Sequence, residues 1–160
     1  MSSSNVLPAS LRLVDMRTAR MDDFTLHLAD CIVLTQDGDI LLQYRPPHWR
    51  TSPEWVTAFG GHVEAGENIL QALTRELHEE LGAAINPADV DFIGAVSEDW
   101  TDHRELVHVH FWHDKAGTIT GCYEAEARTY KTVADALAYP KVMDYTRWAL
   151  GECLARGLLT

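Results

Sequence analysis

The stretch GGHVEAGENILQALTRELHEELGA, residues 60–83, constrains this chain more than any other. Its spacing predicts a helix over 68–81. Glu67 stands at the start, where the helix dipole favours a carboxylate, and Gly82 supplies a C-terminal stop. At about 100° per residue, Glu76, Glu79 and Glu80 fall at i, i+3 and i+4 and share one side. Leu70, Leu73, Leu77 and Leu81 form a neighbouring apolar stripe expected to face a core. Like charges at this spacing cost a few tenths of a kcal/mol per pair, so a cation is expected to offset them. Arg75 answers only part of that need, by pairing with Glu79 or reaching back to Glu67. Three clustered oxygens suit a hard divalent ion better. Mg²⁺ in particular takes a few carboxylates together with waters and substrate phosphates.

An acidic helix face by itself is commonly solvated surface. The residues before this one argue for more. Gly60-Gly61 permit a close backbone approach that a side chain would block, and Gly66-Glu67 permit a sharp entry into the helix. His78-Glu79 suggests the HExxH zinc motif, but Gly82 occupies the place of its second histidine.

Gly61, Glu67, Arg75, Glu76, Leu77, Glu79, Glu80 and Gly82 follow the pattern G-x5-E-x7-R-E-L-x-E-E-x-G. In this the segment resembles the Nudix box at all its fixed positions. The last position, usually a bulky aliphatic, is Ala83, and Phe59 stands where the family often has proline. The order of flanking elements over roughly residues 25–155 is also Nudix-like.

The resemblance implies an α/β/α sandwich with a mixed sheet, a catalytic helix at about 68–81 and a C-terminal helix at about 141–156. It implies that Glu76, Glu79 and Glu80 ligate Mg²⁺, with Mn²⁺ substituting, and that one of them or a water between them is the base. Arg75 and Glu67 would fix the helix and orient Glu79, and the carbonyl of Gly60 would complete the metal site. Relatives often draw one more carboxylate from a loop, which makes Glu124 or Glu126 a candidate with no choice between them. The implied reaction is attack of a metal-activated water on one phosphorus of a pyrophosphate linkage, in a substrate of the nucleoside diphosphate-X type. Many family members dimerise, so a homodimer is the assembly to expect.

Elsewhere, residues 26–35 and 40–45 read as strands joined by a hairpin at Asp37-Gly38, and three prolines make 46–54 a loop. Further strands are expected at about 90–97, 105–113 and 119–123. Helices are expected at about 132–138 and 141–156, separated by Tyr139-Pro140. Val142, Tyr145, Trp148, Ala149 and Leu154 suit a helix packed on a sheet. The elements alternate without a regular βαβ rhythm, which predicts a mixed sheet between helices. Residues 1–23 read as a partly flexible N-terminal segment in which Ser2–Ser4 fray, and 24–158 as one domain.

Other residues with chemical potential were weighed against ordinary roles. His108 and His110, in VHVHFWH, share a strand face away from Val107, Val109 and Phe111. With no third ligand evident beside them or His113, they read as a polar face toward a cleft or beneath the helix. Arg45 and Arg50 are candidates for substrate phosphates. Trp55 reads as core, and Trp100, in the polar stretch SEDWTDHRE, as the better residue for stacking a base.

The formal charge of −11 disfavours nucleic acid as a partner. A divalent cation reconciles that charge with an anionic small molecule. The three cysteines, Cys31, Cys122 and Cys153, are scattered and suggest reduced thiols in a cytoplasm. No apolar run is long enough for a membrane helix. Two rival functions stand beside the hydrolase: a nucleotide-sensing regulator, and an isomerase of isoprenyl diphosphates. The first usually carries an extra domain or eroded carboxylates; the second relies on an active-site cysteine, which Cys31 or Cys122 would have to supply from a distance in sequence. The segment names the bond and the metal, not the molecule.

Overall fold

The structure, a computed structural model, describes residues 5–160. The expected fraying of Ser2–Ser4 lies outside these residues. The hairpin forms where Asp37-Gly38 placed it: β2 (Leu26–Leu34) turns through Gly38, at φ 86°, into β3 (Ile40–Tyr44). β2 organises the sheet. It runs parallel to β7 (Glu105–His113) along nine register pairs. On its other side it pairs β3 only at Val33 and Leu34, and β3 then diverges. Residues 56–62 cross the resulting gap. β4 (Val56–Thr57) pairs β3, and after Ala58 the chain steps over to pair β2 as β5 (Phe59–His62).

β6 (Asp91–Glu98) lies antiparallel to β7, and β1 (Leu11–Val14) adds to β6. Part of the N-terminal segment therefore joins the sheet. β8 (Glu126–Tyr130) covers the free edge of β3.

One face of this mixed sheet carries α1 (Ile69–Leu81). Asn68 and Gln71 form a reciprocal capping box at its start, and Gly82 ends it at φ 66°. Leu73, Leu77 and Leu81 are fully buried against Ala29, Cys31, Val33 and Phe59. Each contributes about 1.5–3 kcal/mol through burial. Leu70 departs from the predicted stripe. It sits in the first turn, 37% exposed, beside Thr74, His78 and Pro87 rather than over the strands.

The opposite face carries α2 (Val133–Leu137) and α3 (Asp144–Ala155). Tyr145, Trp148, Ala149, Leu150 and Cys153 pack there on Ile32, Val107, Val109 and Phe111. Trp148 lies so close to Gly94 that a Cβ there would meet its ring at 2.8 Å. The C-terminal helix begins at 144, later than the expected 141. Lys141 accepts the backbone N–H of Val56 and Val142 bridges that strand, which keeps 141–143 extended. Leu154 faces solvent; Leu150 and Cys153 fill the interface in its place.

The strand expected at 119–123 is absent. Its backbone N–H groups are used elsewhere: Thr120 donates to the Leu81 carbonyl and Tyr123 to the Glu80 carbonyl. These carbonyls end α1 and lack partners inside the helix, so the loop serves as its C-terminal cap. Among the described residues no helix is long and apolar enough to cross a membrane.

Candidate active site

The gap between β3 and β5 admits a side chain from α1. Glu80 projects into it and is 3% exposed. Its Oε2 accepts the Gly60 N–H at 2.9 Å and its Oε1 accepts from Gln43 Nε2 at 3.2 Å. Burial pushes its carboxyl up to about 9; the Gly60 N–H opposes this, while Asp30, Glu76 and Glu124 add to it by repulsion. Gly60, at φ 141°, has no room for a Cβ, which would collide with the Ala29 carbonyl and the Asp30 carboxylate. Gly61 lies under the Glu76 carboxylate, which a Cβ there would also strike. The two glycines permit the close approach that the sequence suggested.

Arg75 ties this corner together. Its guanidinium donates to Glu67 at 2.7 and 2.9 Å, to Glu76 at 2.9 Å, to Glu79 at 3.4 Å and to the His62 carbonyl at 3.0 Å. Arg75 and the Glu64 N–H hold the Glu67 carboxyl down at about 2. Burial raises the Glu76 carboxyl, with Arg75 opposing. Glu79 is half exposed on the outer side of Arg75.

The loop that caps α1 also delivers Glu124. Its charge acts on both Glu76 and Glu80, and it lines the cleft beside them. Glu126 opens β8 opposite Tyr44, is exposed, and does not line the cleft. The two candidates that the sequence left level are thus separated. Glu80 is raised by repulsion from Glu76 and Glu124, and Glu76 by repulsion from Glu124, so these are oxygen donors that repel one another. That chemistry fits a hard divalent cation. Among the described residues no three His, Cys, Asp or Glu side chains are gathered at ligand spacing, and Arg75 holds the Glu76 carboxylate.

From this corner a cleft of about 420 Å³ runs across the sheet. Its lining includes Gln43, Arg45, Glu80, Asp30, Gly60, Tyr145 and Val107, and it reaches Glu98 and Trp100 at the end of β6, two strands across from β2. Arg45 donates to the Thr51 carbonyl at 3.1 Å, yet its buried Nε has no partner among the described residues. Arg50 is exposed and lies outside the cleft, in a separate depression with His48 and Trp49. Trp55 is not core: it is half-buried beside Trp100 and Met143, in a smaller depression that adjoins the cleft.

Sequence reasoning missed Asp30 and Glu98. Asp30, 5% exposed, is raised to about 7, by burial first and then by Glu98 and Glu76, with the Tyr145 hydroxyl opposing through a hydrogen bond. Its signal was present: one charge inside the otherwise apolar strand LHLADCIVL.

The histidines stand apart from this chemistry. Val107 lines the cleft, so His108 and His110 point to the opposite face of the sheet. His108 meets His27 at 2.9 Å, and His110 lies 3.2 Å from the Asp30 carbonyl. Burial lowers both, His108 to about 4. Cys31 is fully buried on the α1 face, and neither it nor Cys122 lines the cleft.

The profile of the NUDIX domain matches residues 25–149. The CTP pyrophosphohydrolase of Escherichia coli (strain K12) is 34% identical over 110 residues, spanning 68% of this chain and 77% of that protein. The isopentenyl-diphosphate Delta-isomerase of Leifsonia xyli subsp. xyli is 35% identical over 80 residues, 49% of this chain and 43% of the isomerase. In fold, the MutT protein from Methanosarcina mazei Go1 superposes with a TM-score of 0.65 at 18% identity, covering 87% of this chain and 99% of that one. With the carboxylate helix, the glycine crossing and a profile spanning most of its length, the chain belongs to the Nudix family and is a Nudix hydrolase.

Proposed function

We propose that the chain hydrolyses a pyrophosphate linkage in a small nucleotide of the nucleoside diphosphate-X or triphosphate type. The observation that carries this reading is the carboxylate of Glu80, held between Gly60 and Gln43 amid Glu76 and Glu124. The similarity to an enzyme named CTP pyrophosphohydrolase supports a nucleotide substrate. Glu76, Glu80, Glu124 and the Gly60 carbonyl would hold Mg²⁺, or Mn²⁺ in its place, with Glu79 next to them on the helix. When bound, the ion lowers the pKa of water and screens phosphoryl oxygens.

The remaining work falls to the chain's own groups. The Gly60 N–H and Gln43 fix the direction of the Glu80 carboxylate, so no reorganisation is needed as charge develops. Arg75 and Glu67 hold the start of α1 against β5. Arg45 is the one Lys or Arg lining the cleft among the described residues, and its guanidinium suits a phosphate oxygen. Such positioning and charge neutralisation is most of what phosphoryl transfer asks of a protein. The charge of −11 supports a small nucleotide over a nucleic-acid strand as substrate.

The isomerase reading lacks its cysteine, because no thiol lines the cleft among the described residues. A screen of nucleoside triphosphates, nucleotide sugars and dinucleoside polyphosphates with Mg²⁺ tests the proposal. Release of phosphate-containing products is expected, and inertness toward every class would refute it.

A further inference from the structure

The far end of the cleft is built from two residues that the hydrolytic corner does not use. Glu98, the last residue of β6, is 9% exposed, and its backbone carbonyl accepts from His103 N–H and the Thr101 hydroxyl. Its carboxylate is fixed as well: Oε2 accepts the Trp100 indole N–H at 2.6 Å. Oε1 has no hydrogen-bond partner among the described residues, although Glu98 lines the cleft. Oε1 is not sealed from solvent, so it is open to a donor that enters the cleft.

Trp100 shows the converse. It is 72% exposed, yet the bond to Glu98 fixes its ring at the cleft wall. No aromatic ring or cation stacks on it among the described residues. An uncovered indole oriented by a hydrogen bond, beside an open acceptor, is a platform for a flat ring that carries a hydrogen-bond donor. The charges nearby narrow the choice. Asp144, Glu105 and Asp99 all act on Glu98 with like sign. A second phosphate at this end would be repelled.

We infer that Glu98 and Trp100 select a nucleotide whose base bears an exocyclic amine, stacking the ring on Trp100 and accepting the amine's hydrogen bond at Glu98 Oε1. This deepens the proposed function and rests on its placement of the phosphates at the Glu80 end. Cytosine and adenine present an amine donor at the relevant edge, whereas uracil and hypoxanthine put a carbonyl oxygen in the same place. That oxygen would face a carboxylate.

The test is calorimetric titration of the full chain in the presence of Mg²⁺ with CMP, UMP, AMP and IMP, alongside hydrolysis of the four matching triphosphates with Mg²⁺. CMP is expected to bind at least tenfold tighter than UMP, and AMP tighter than IMP. Glu98→Gln, whose amide both donates and accepts, should narrow the CMP/UMP ratio to within about threefold. Trp100→Ala should weaken all four ligands together. Should Glu98→Gln fail to fold by its melting curve, Trp100→Phe keeps a smaller stacking ring, removes the indole N–H that orients Glu98 and should narrow the same ratio. Equal affinity for CMP and UMP, an unchanged ratio in the folded variants, or no binding of any of the four at millimolar concentration would overturn the inference. Hydrolysis without base preference refutes this inference alone. Selective binding without divalent-dependent hydrolysis of any nucleotide refutes the proposed function alone.

Discussion

Glu80 and Gly60 are joined across the split in the sheet: the carboxylate of a helix on one face accepts, at 2.9 Å, a backbone N–H from the strand that crosses the gap. The bond requires the bare backbone of Gly60. An alanine there would strike the Ala29 carbonyl and the Asp30 carboxylate at a φ of 141°, which side chains rarely adopt. Gly60→Ala is expected to destabilise the chain by about 3 kcal/mol or more. Gly38→Ala, at φ 86° with open space around it, should cost only about 1 kcal/mol. Urea melts of the two variants provide the comparison.

The buried Glu80 carboxyl also sets a pH dependence. It titrates near 4.5 when unfolded and at about 9 when folded and free of metal, so between these values the folded state holds the extra proton. Metal-free stability from this group is therefore full below about 4.5 and is lost as pH rises toward 9. Glu80→Gln should flatten that loss and leave the metal-free protein at least as stable as wild type at pH 8. A divalent ion binds the deprotonated form, so the rise in Tm with Mg²⁺ should be larger at pH 8.5 than at pH 6.5. Thermal melts with and without Mg²⁺ at both pH values measure this.

His108 produces an opposing slope at lower pH. Its imidazole titrates near 6.5 when unfolded and at about 4 when folded, so over that interval the unfolded state binds more protons. Its contribution is present above pH 6.5 and is lost on acidification, by up to roughly 3 kcal/mol at pH 4. His108→Gln, which keeps a polar partner for His27, should reduce the slope between pH 6.5 and 4 in chemical denaturation.

Arg75 touches Glu67, Glu76, Glu79 and the His62 carbonyl at once. Arg75→Ala removes the cation that offsets three carboxylates, with an expected loss of about 1–3 kcal/mol. Arg75→Lys cannot make the paired bonds to Glu67 and should recover only part of this. Both should lower kcat/KM for a nucleotide substrate by tenfold or more, because the start of α1 is no longer tied to β5. Melting curves and steady-state kinetics check the two effects separately.

The helix, its Gly82 stop, the glycine turn and the hairpin at Asp37-Gly38 were legible because each is local: a period, a stop residue, a turn pair. Sequence reasoning missed the Asn68–Gln71 capping box, and Glu67 bonds Arg75 and the Glu64 N–H instead of capping the helix. The other failures are tertiary. Thr120 and Tyr123 lie in a segment of ordinary strand composition, but their N–H groups cap α1, and only the folded helix end makes that demand. The same loop brings Glu124 to the cleft and leaves Glu126 outside it, a difference in position that sequence alone does not give. Leu70 and Leu154 fit an apolar period, yet the sheet does not extend beneath them. Trp55 has the composition of a core residue and instead lines a depression beside the cleft. Asp30 and Glu98 carry no motif; they acquire a role from strands β2, β7 and β6 being neighbours, a pairing between residues far apart in the chain.

The central claim is that this corner of carboxylates performs divalent-dependent cleavage of a pyrophosphate bond. Initial rates of product release from CTP, with Mg²⁺ and with chelator, test it most directly when wild type is run beside Glu80→Gln and Glu79→Gln. The account predicts turnover that requires the ion and falls by about a hundredfold or more in Glu80→Gln. Turnover that survives chelation, or that is unchanged in both variants, would contradict it.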